Sequence, residues 1–265
     1  VTSKSADIED LTAFAMEVIR QSGQEALRYY GKGKPDVKFD DDLVTDAELV
    51  LTSLFQRHLK ARFPEHLLFQ YDQQNKGYSH EGKRYLWIFD PLDGVANFQA
   101  GIPIWGTSLA LLENFWPIFG LFYMPVTGDL FHARVGHKAF KGEKELHISS
   151  QGSINDESLL LTHSRFHQYY HSTFPGKIRD LGCTSAHVCY VAMGRAEAAI
   201  ISHESYQDLA AAQVIAEAAG AKIFKMDGRN FSLGDYLDGN RIDDHLLVVG
   251  TDMRSQILSY LQKIT

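Results

Sequence analysis

The stretch Trp87-Ile88-Phe89-Asp90-Pro91-Leu92-Asp93-Gly94-Val95-Ala96-Asn97-Phe98 decides how the chain is read. From Tyr85 to Phe89 the residues are apolar without a break and rich in aromatic and β-branched side chains, which predicts a short buried strand. Asp90 and Asp93 follow at its C-terminal end. Pro91 fixes φ and Gly94 lets the backbone turn unhindered, so a tight turn is expected there. Such a turn brings carboxylates three residues apart to one side, with the Leu92 carbonyl between them. Three oxygen ligands from four residues suit a hard cation such as Mg2+. A plain Asp-Pro turn with solvated carboxylates has the same local sequence.

The rest of the chain sets bounds on what such a turn can serve. At 265 residues it can form one large or two smaller domains with a substantial core. A formal net charge of −7 argues against a nucleic-acid partner, and an acidic surface binds a phosphorylated substrate only where positive charge, as from a metal, is supplied locally. Cys183 and Cys189 show no zinc-ligand spacing and are expected to be buried, reduced thiols of a cytoplasmic protein. No N-terminal apolar run resembles a signal peptide. The apolar region Ile104 to Val126 is interrupted by Glu113, Asn114 and Pro117, so it reads as paired strands and not as a membrane span.

In chain order, Ile8 to about Tyr30 has helical spacing of apolar residues, ended by Gly31 and Gly33. Val37 to Val44 reads as a hairpin or loop. Thr45 is expected to open a second helix, with Thr45 and Glu48 forming a capping box and Pro64 stopping it. His66 to Phe69 reads as an edge strand. Thr107 to Leu112, Pro117 to Met124 and Leu130 to Val135 read as an antiparallel meander, which Gly142 to His147 continues. The second half alternates: a strand at Leu159 to Thr162, a helix from Thr184 to Met193, a strand at Ala196 to Ile201 and a helix from Leu209 to Ala219 capped by Gly220. Strands at Ile223 to Lys225 and Leu246 to Val249 precede a terminal helix, Met253 to Ile264. The pattern argues an α+β or layered α/β architecture, split into halves at residues 1–150 and 151–265.

Asp90-Pro91-Leu92-Asp93-Gly94 followed by Asn97-Phe98 resembles the D-P-[IL]-D-G-T-x-N-F signature of the inositol monophosphatase superfamily, whose members are metal-dependent, lithium-sensitive phosphomonoesterases. Asp42-Leu43-Val44-Thr45 is similar to that family's D-L-V-T segment. Gln207-Asp208-Leu209-Ala210-Ala211 with Glu217-Ala218-Ala219-Gly220 is similar to its W-D-x-A-[AG] and E-A-G-G segments, and Leu181 to Ala186 loosely to its G-[ST]-x-A helix start. The resemblance covers nearly the whole chain. It implies an α-β-α-β-α layered sandwich, a metal site where the halves meet, a small phosphorylated alcohol or sugar as substrate, and a homodimer.

Asp208 opens a predicted helix, and an N-cap is a sufficient account of it. The resemblance instead implies that Asp208 completes a second metal position, so that Asp90, the Leu92 carbonyl, Asp93 and Asp208 surround Mg2+. Such metals polarise phosphoryl oxygens and activate water, and the N–H groups that follow Gly94 would cradle phosphate. Haloacid-dehalogenase phosphatases also place Asp at a strand end, but they need D-x-D; the D-x-x-D spacing here favours direct attack by water over an aspartyl-phosphate. Departures from the family fall on the groups that aim this water. Gln70 replaces the metal-ligating Glu, with Asp72 as a possible substitute, and Val95 replaces a Thr whose hydroxyl holds the water. Glu48 occupies the place of the Asp that pairs with that Thr, although a capping-box role also accounts for it. Ile201 stands where inositol-specific members carry a carboxylate, so inositol phosphate itself is not the expected substrate. His163, Arg165 and His187 are within the segments that could touch substrate, and each has an ordinary core or surface reading. Lys38 falls near a basic position of the family.

Overall fold

The computed structural model of the protein describes residues 8–32, 41–69, 84–149 and 154–264. Two helices, α1 (Ile8–Ala26) and α2 (Asp41–Arg62), lead into β1 (Leu67–Leu68), β2 (Tyr85–Asp93) and the short α3 (Val95–Ala100). The meander follows as β3 (Gly106–Glu113), β4 (Trp116–Met124), β5 (Asp129–Arg134), β6 (Ala139–Lys141) and β7 (Lys144–Leu146). The second half holds β8 (Leu159–Thr162), α4 (Phe166–Tyr169), β9 (Tyr170–Ser172), β10 (Lys177–Arg179), α5 (Thr184–Ala192), β11 (Ala198–Ile201) and α6 (Tyr206–Ala218). It ends with β12 (Ala221–Lys225), β13 (Leu246–Gly250), α7 (Arg254–Ser259) and β14 (Leu261–Lys263).

Strands β1 to β7 form a seven-stranded sheet in sequence order, and a five-stranded sheet runs β10-β8-β11-β13-β12. Side chains alternate across a strand, and here both faces of each sheet are apolar. Trp87 and Phe89 of β2, Leu109 and Leu111 of β3 and Phe119 and Leu121 of β4 face α1 and α2. Leu86, Ile88, Ala110 and Leu112 face the other way and pack with α5, α6 and the inner face of the second sheet, at Ala199, Ile201, Leu246 and Val248. Ala198, Ile200, Leu247 and Val249 point outward beneath α4 and α7. The result is the helix–sheet–helix–sheet–helix layering that the resemblance implies. Alanine-rich α6 lies flat on the first sheet because β4 offers Gly120, where a Cβ would come 2.5 Å from the Ala211 carbonyl oxygen. No helix among the described residues is long and apolar enough to cross a membrane.

Several expectations are corrected. The second helix begins at Asp41, not Thr45, because carboxylates are favoured in a helix's first turn as readily as in a loop. Glu48 therefore lies inside α2 and is not the partner of a capping box at Thr45. The turn expected after Phe89 is a continuation of β2: Asp90 pairs with Ser108 and Asp93 with Gly106, three residues against two. That extra residue is a β-bulge, and it places Pro91 where a missing ladder N–H is tolerated. The terminal helix is short, since the chain leaves it at Tyr260 to pair β14 antiparallel with β9. Strands β6, β9 and β10 and helix α4 had no distinct periodicity to announce them; each is three or four residues long.

Candidate active site

In a regular strand, residues three apart point to opposite faces. The bulge between Asp90 and Asp93 adds one residue to that count and returns both carboxylates to one side. Asp90 is buried, and its Oδ1 accepts from the Leu92 N–H at 3.2 Å. Asp93 reaches across to the second half, where its two oxygens accept from the backbone N–H groups of Thr184 (3.1 Å) and Ser185 (2.6 Å) at the start of α5. Gly94 follows in the left-handed region at φ 86°. A Cβ there would stand 3.0 Å from both Cys183 Cβ and the Ile104 carbonyl oxygen, so only glycine turns the chain into α3. No side chain caps that six-residue helix.

Asn97 then binds the halves together, its Nδ2 donating to the Ile104 and Leu181 carbonyls, each at 2.6 Å. The reverse tie comes from α6. Gln207 Nε2 donates to the Phe89 carbonyl at 2.7 Å, which sets the first turn of α6 against β2 one residue before Asp90. Asp208 is not the N-cap of α6. Ser205 is, and Asp208 at the third helical position closes the reciprocal capping box, its Oδ2 accepting from Ser205 N–H at 2.7 Å. Capping does not remove Asp208 from the site, for its charge bears on Asp90.

The electrostatics follow from this convergence. Burial, then the charges of Asp208 and Asp93, push the Asp90 carboxyl well above the usual carboxylate range, and Glu48 adds to the effect. Burial and Asp93 raise Asp208, while the Ser205 hydrogen bonds and the Arg241 guanidinium oppose the shift. Glu48 is raised by burial. A further carboxylate that the sequence reading passed over joins the group: Glu204, 7% exposed, is raised by burial and by Asp208 and Asp93, and its Oε1 accepts from Thr184 Oγ1 at 2.7 Å. Its signal in the sequence was only that a Glu precedes the α6 cap; Thr184, which meets it, comes from another segment.

Other residues singled out by the sequence fall elsewhere. Val95 opens α3 half-buried and packs on the core beneath α1 and α2. Leu92 buries its side chain in the same core. Ile201 lies in β11 opposite Leu246, 1% exposed, and serves the core between the sheets. His187 is a core residue whose Nε2 accepts from Leu181 N–H at 2.9 Å. Arg165 is exposed before α4. His163 is pushed down to about 4 by burial and then by the nearby His245 and His203. Gln70, Asp72 and Lys38 lie outside the described residues. Cys183 and Cys189 are free and buried, and burial followed by the Asp93 charge raises both thiols, which leaves them inert.

Carboxylate oxygens with little positive charge among them are a donor set for a hard cation. Among the described residues, no three His, Cys, Asp or Glu side chains are arranged to hold a metal ion as they stand. Asp90, Asp93 and Asp208 are instead turned onto backbone N–H groups. The chemistry of the donors fits such an ion; its enclosure needs carboxylate rotation. A cavity of about 510 Å3 elsewhere, lined by Tyr170, Lys225, Arg229, Asp244 and Lys263 among others, includes none of these groups.

The sequence model of the inositol monophosphatase family matches residues 7–262. A histidinol-phosphatase of Chlorobaculum parvum is 30% identical over 227 residues, covering 81% of this chain and 85% of that one. Inositol monophosphatase 1 of Solanum lycopersicum is 27% identical over 249 residues, 87% and 90% of the two chains. Among solved structures, the extragenic suppressor protein suhB of Bartonella henselae superposes with a TM-score of 0.75 at 20% identity, over 97% of this chain and 99% of that one. At that identity the likeness establishes the fold alone.

Proposed function

The chain belongs to the inositol monophosphatase family, and we propose that it hydrolyses the phosphate monoester of a small alcohol at the carboxylate cluster between its two sheets. The observation that carries this reading is the delivery of Asp90 and Asp93 by one bulge, and of Asp208 by a helix tied to the same strand. Asp90, the Leu92 carbonyl, Asp93 and Asp208 would hold Mg2+. When bound, that ion supplies positive charge for the phosphoryl oxygens and lowers the pKa of water.

The chain's own residues do the rest. Thr184 and Ser185 hold the Asp93 carboxylate at the start of α5 through both of its oxygens, and it would turn from them to enclose the ion. Gly94 turns the chain from β2 into α3 where a side chain would collide with Cys183 and the Ile104 carbonyl, which keeps the start of α3 beside Asp93. Glu48, raised by burial and set on the Asp90 side, is the described carboxylate suited to take a proton from the attacking water. As the water oxygen bonds to phosphorus, the ester P–O bond breaks and the departing alkoxide takes up a proton. The relatives' names point to both inositol and histidinol phosphates, and Ile201, sealed in the core, offers no acceptor to a polyol.

A specific observation favours a second reading, in which turnover is weak and the protein chiefly binds a phosphorylated ligand: Val95 sits at the start of α3 with no hydroxyl to aim a water. Phosphate release from inositol, glycerol and histidinol phosphates, with Mg2+ and with a chelator, separates the two. Mg2+-dependent release that is lost in Asp208→Asn supports the enzyme. Tight ligand binding with no release supports the second reading.

A further inference from the structure

Gln207 stands where the family's W-D-x-A-[AG] segment has tryptophan. Its amide makes a bond whose place belongs to a β-sheet. Strand β1 runs parallel to β2, with Leu67 beside Leu86 and Leu68 beside Trp87. On that edge alternate carbonyls of β2 face β1, and the Trp87 carbonyl accepts from the Phe69 N–H at 2.7 Å. The next carbonyl on the same edge is that of Phe89. It accepts from Gln207 Nε2 at 2.7 Å, so a side chain of α6 takes the rung after Phe69. The acceptor fixes which way the amide points, because only its NH2 end donates.

A second contact seats the first turn of α6 at the same spot. The buried Tyr206 lays its ring against Phe69, with centroids 5.6 Å apart, just past the end of β1. Ring packing tolerates a slide of the helix, whereas a hydrogen bond has a length and a direction. Each group in the Gln207 bond is one residue from a carboxylate: Phe89 precedes Asp90 and Gln207 precedes Asp208. Asp93 is held separately, by the start of α5. Burial of Phe89 keeps water from readily replacing the amide on its carbonyl.

Resting on the reading of the cluster as a cation site, we infer that Gln207 is a positioning residue: its amide holds Asp208 at the separation from Asp90 at which both carboxylates serve one site. The Ser205 capping box and the Tyr206 ring keep α6 formed and docked without it, so its loss loosens the site more than the fold. In the metal-free protein the bond holds two like charges together against their repulsion. The site is thereby assembled before the ion arrives, and the ion is spared the cost of drawing the halves together.

The test uses two substitutions. Gln207→Met keeps the length of the side chain but cannot donate, and Gln207→His returns a ring N–H at the same reach from Cβ. Melting curves in chelator check that each variant is folded. Calorimetric titration with Mg2+ should show binding weakened about tenfold in Gln207→Met, the size of one good hydrogen bond, and largely restored in Gln207→His.

A metal-free readout separates position from packing. Asp90→Asn, Asp208→Asn and the two together, compared by urea denaturation in chelator, report how strongly the carboxylates feel each other. With Gln207 in place, the double change should gain less stability than the sum of the single gains, because each charge removed relieves the other. With Gln207→Met the gains should become additive. A purely structural role would lower the stability of all four proteins alike and leave their coupling unchanged, which would overturn the inference. So would weakened Mg2+ binding that Gln207→His does not restore. Coupling that vanishes in Gln207→Met, in a protein whose wild type takes up no Mg2+, upholds the positioning role and refutes the cation reading of the cluster.

Discussion

Replacing Asp90 by Asn should make the metal-free protein more stable at neutral pH, which is the reverse of what loss of a buried polar group usually does. Asn has Asp's shape and keeps an acceptor for the Leu92 N–H, the hydrogen bond that Asp90 makes at 3.2 Å. What it removes is one negative charge in a buried position beside Asp208, Asp93 and Glu48. Relieving an uncompensated buried charge is worth about 1–3 kcal/mol on the scale of unsatisfied buried groups. Each kcal/mol moves the melting temperature of a chain this size by roughly 2–4 °C, so a rise of about 2–12 °C is expected.

The sign depends on pH. The Asp90 carboxyl is raised in the folded state, so its contribution to stability is fully present below the unfolded value, about 3.9, and is lost as pH rises through the folded value. Wild type and variant should therefore melt alike near pH 4 and diverge towards pH 8. Thermal denaturation followed by circular dichroism from pH 4 to 8, in chelator, measures this. Adding Mg2+ should raise the wild type by about 2.7 kcal/mol at a hundredfold excess over Kd and leave the variant nearly unmoved. A variant that is less stable than the wild type at pH 8 without metal would mean that the charge is already compensated in the protein, and would refute the reasoning.

Three other outcomes follow from the same geometry. Gly94→Ala puts a Cβ into a left-handed residue with neighbours at 3.0 Å, and should cost about 1–3 kcal/mol and most of the activity, read by urea denaturation and phosphate release. Asn97→Ala strands the Ile104 and Leu181 carbonyls, and should cost about 2–4 kcal/mol; full stability in urea would show that the halves are held by other contacts. Val95→Thr adds a hydroxyl where the side chain is half-buried, and should raise kcat about tenfold with KM little changed; together with Gln70→Glu the gain should exceed the product of the single gains, since groups that act on one water are non-additive.

The meander was legible because strands with two apolar faces read as short unbroken apolar runs between turn residues, as in Leu86 to Phe89 and Leu109 to Leu112. The start of α2 was hidden by Asp40, Asp41 and Asp42, which suit a loop and a helix N-terminus equally. The bulge at Asp90 to Asp93 was read as a turn because Pro91 and Gly94 are turn residues. Only the pairing partners Ser108 and Gly106 reveal that the strand continues. β14 was read as helix because its pairing with β9 is decided by a segment about ninety residues away. Within the site, Asp90, Asp93 and Asp208 were named from their motifs. Glu204 was not, because what brings it in is Thr184 and the left-handed His203, neither of which leaves a pattern in the sequence.

A calorimetric titration of Mg2+ into the wild type and into Asp208→Asn tests the central claim most directly, since Asp208 is the carboxylate brought from the second half of the chain and Asn keeps an acceptor for the Ser205 N–H of the capping box. The wild type should take up the ion with a saturable heat in the millimolar range or tighter, and Asp208→Asn, melting as the wild type does, should bind it at least tenfold more weakly. Equal binding by both proteins, or none by the wild type, would contradict a metal site shared between the two sheets.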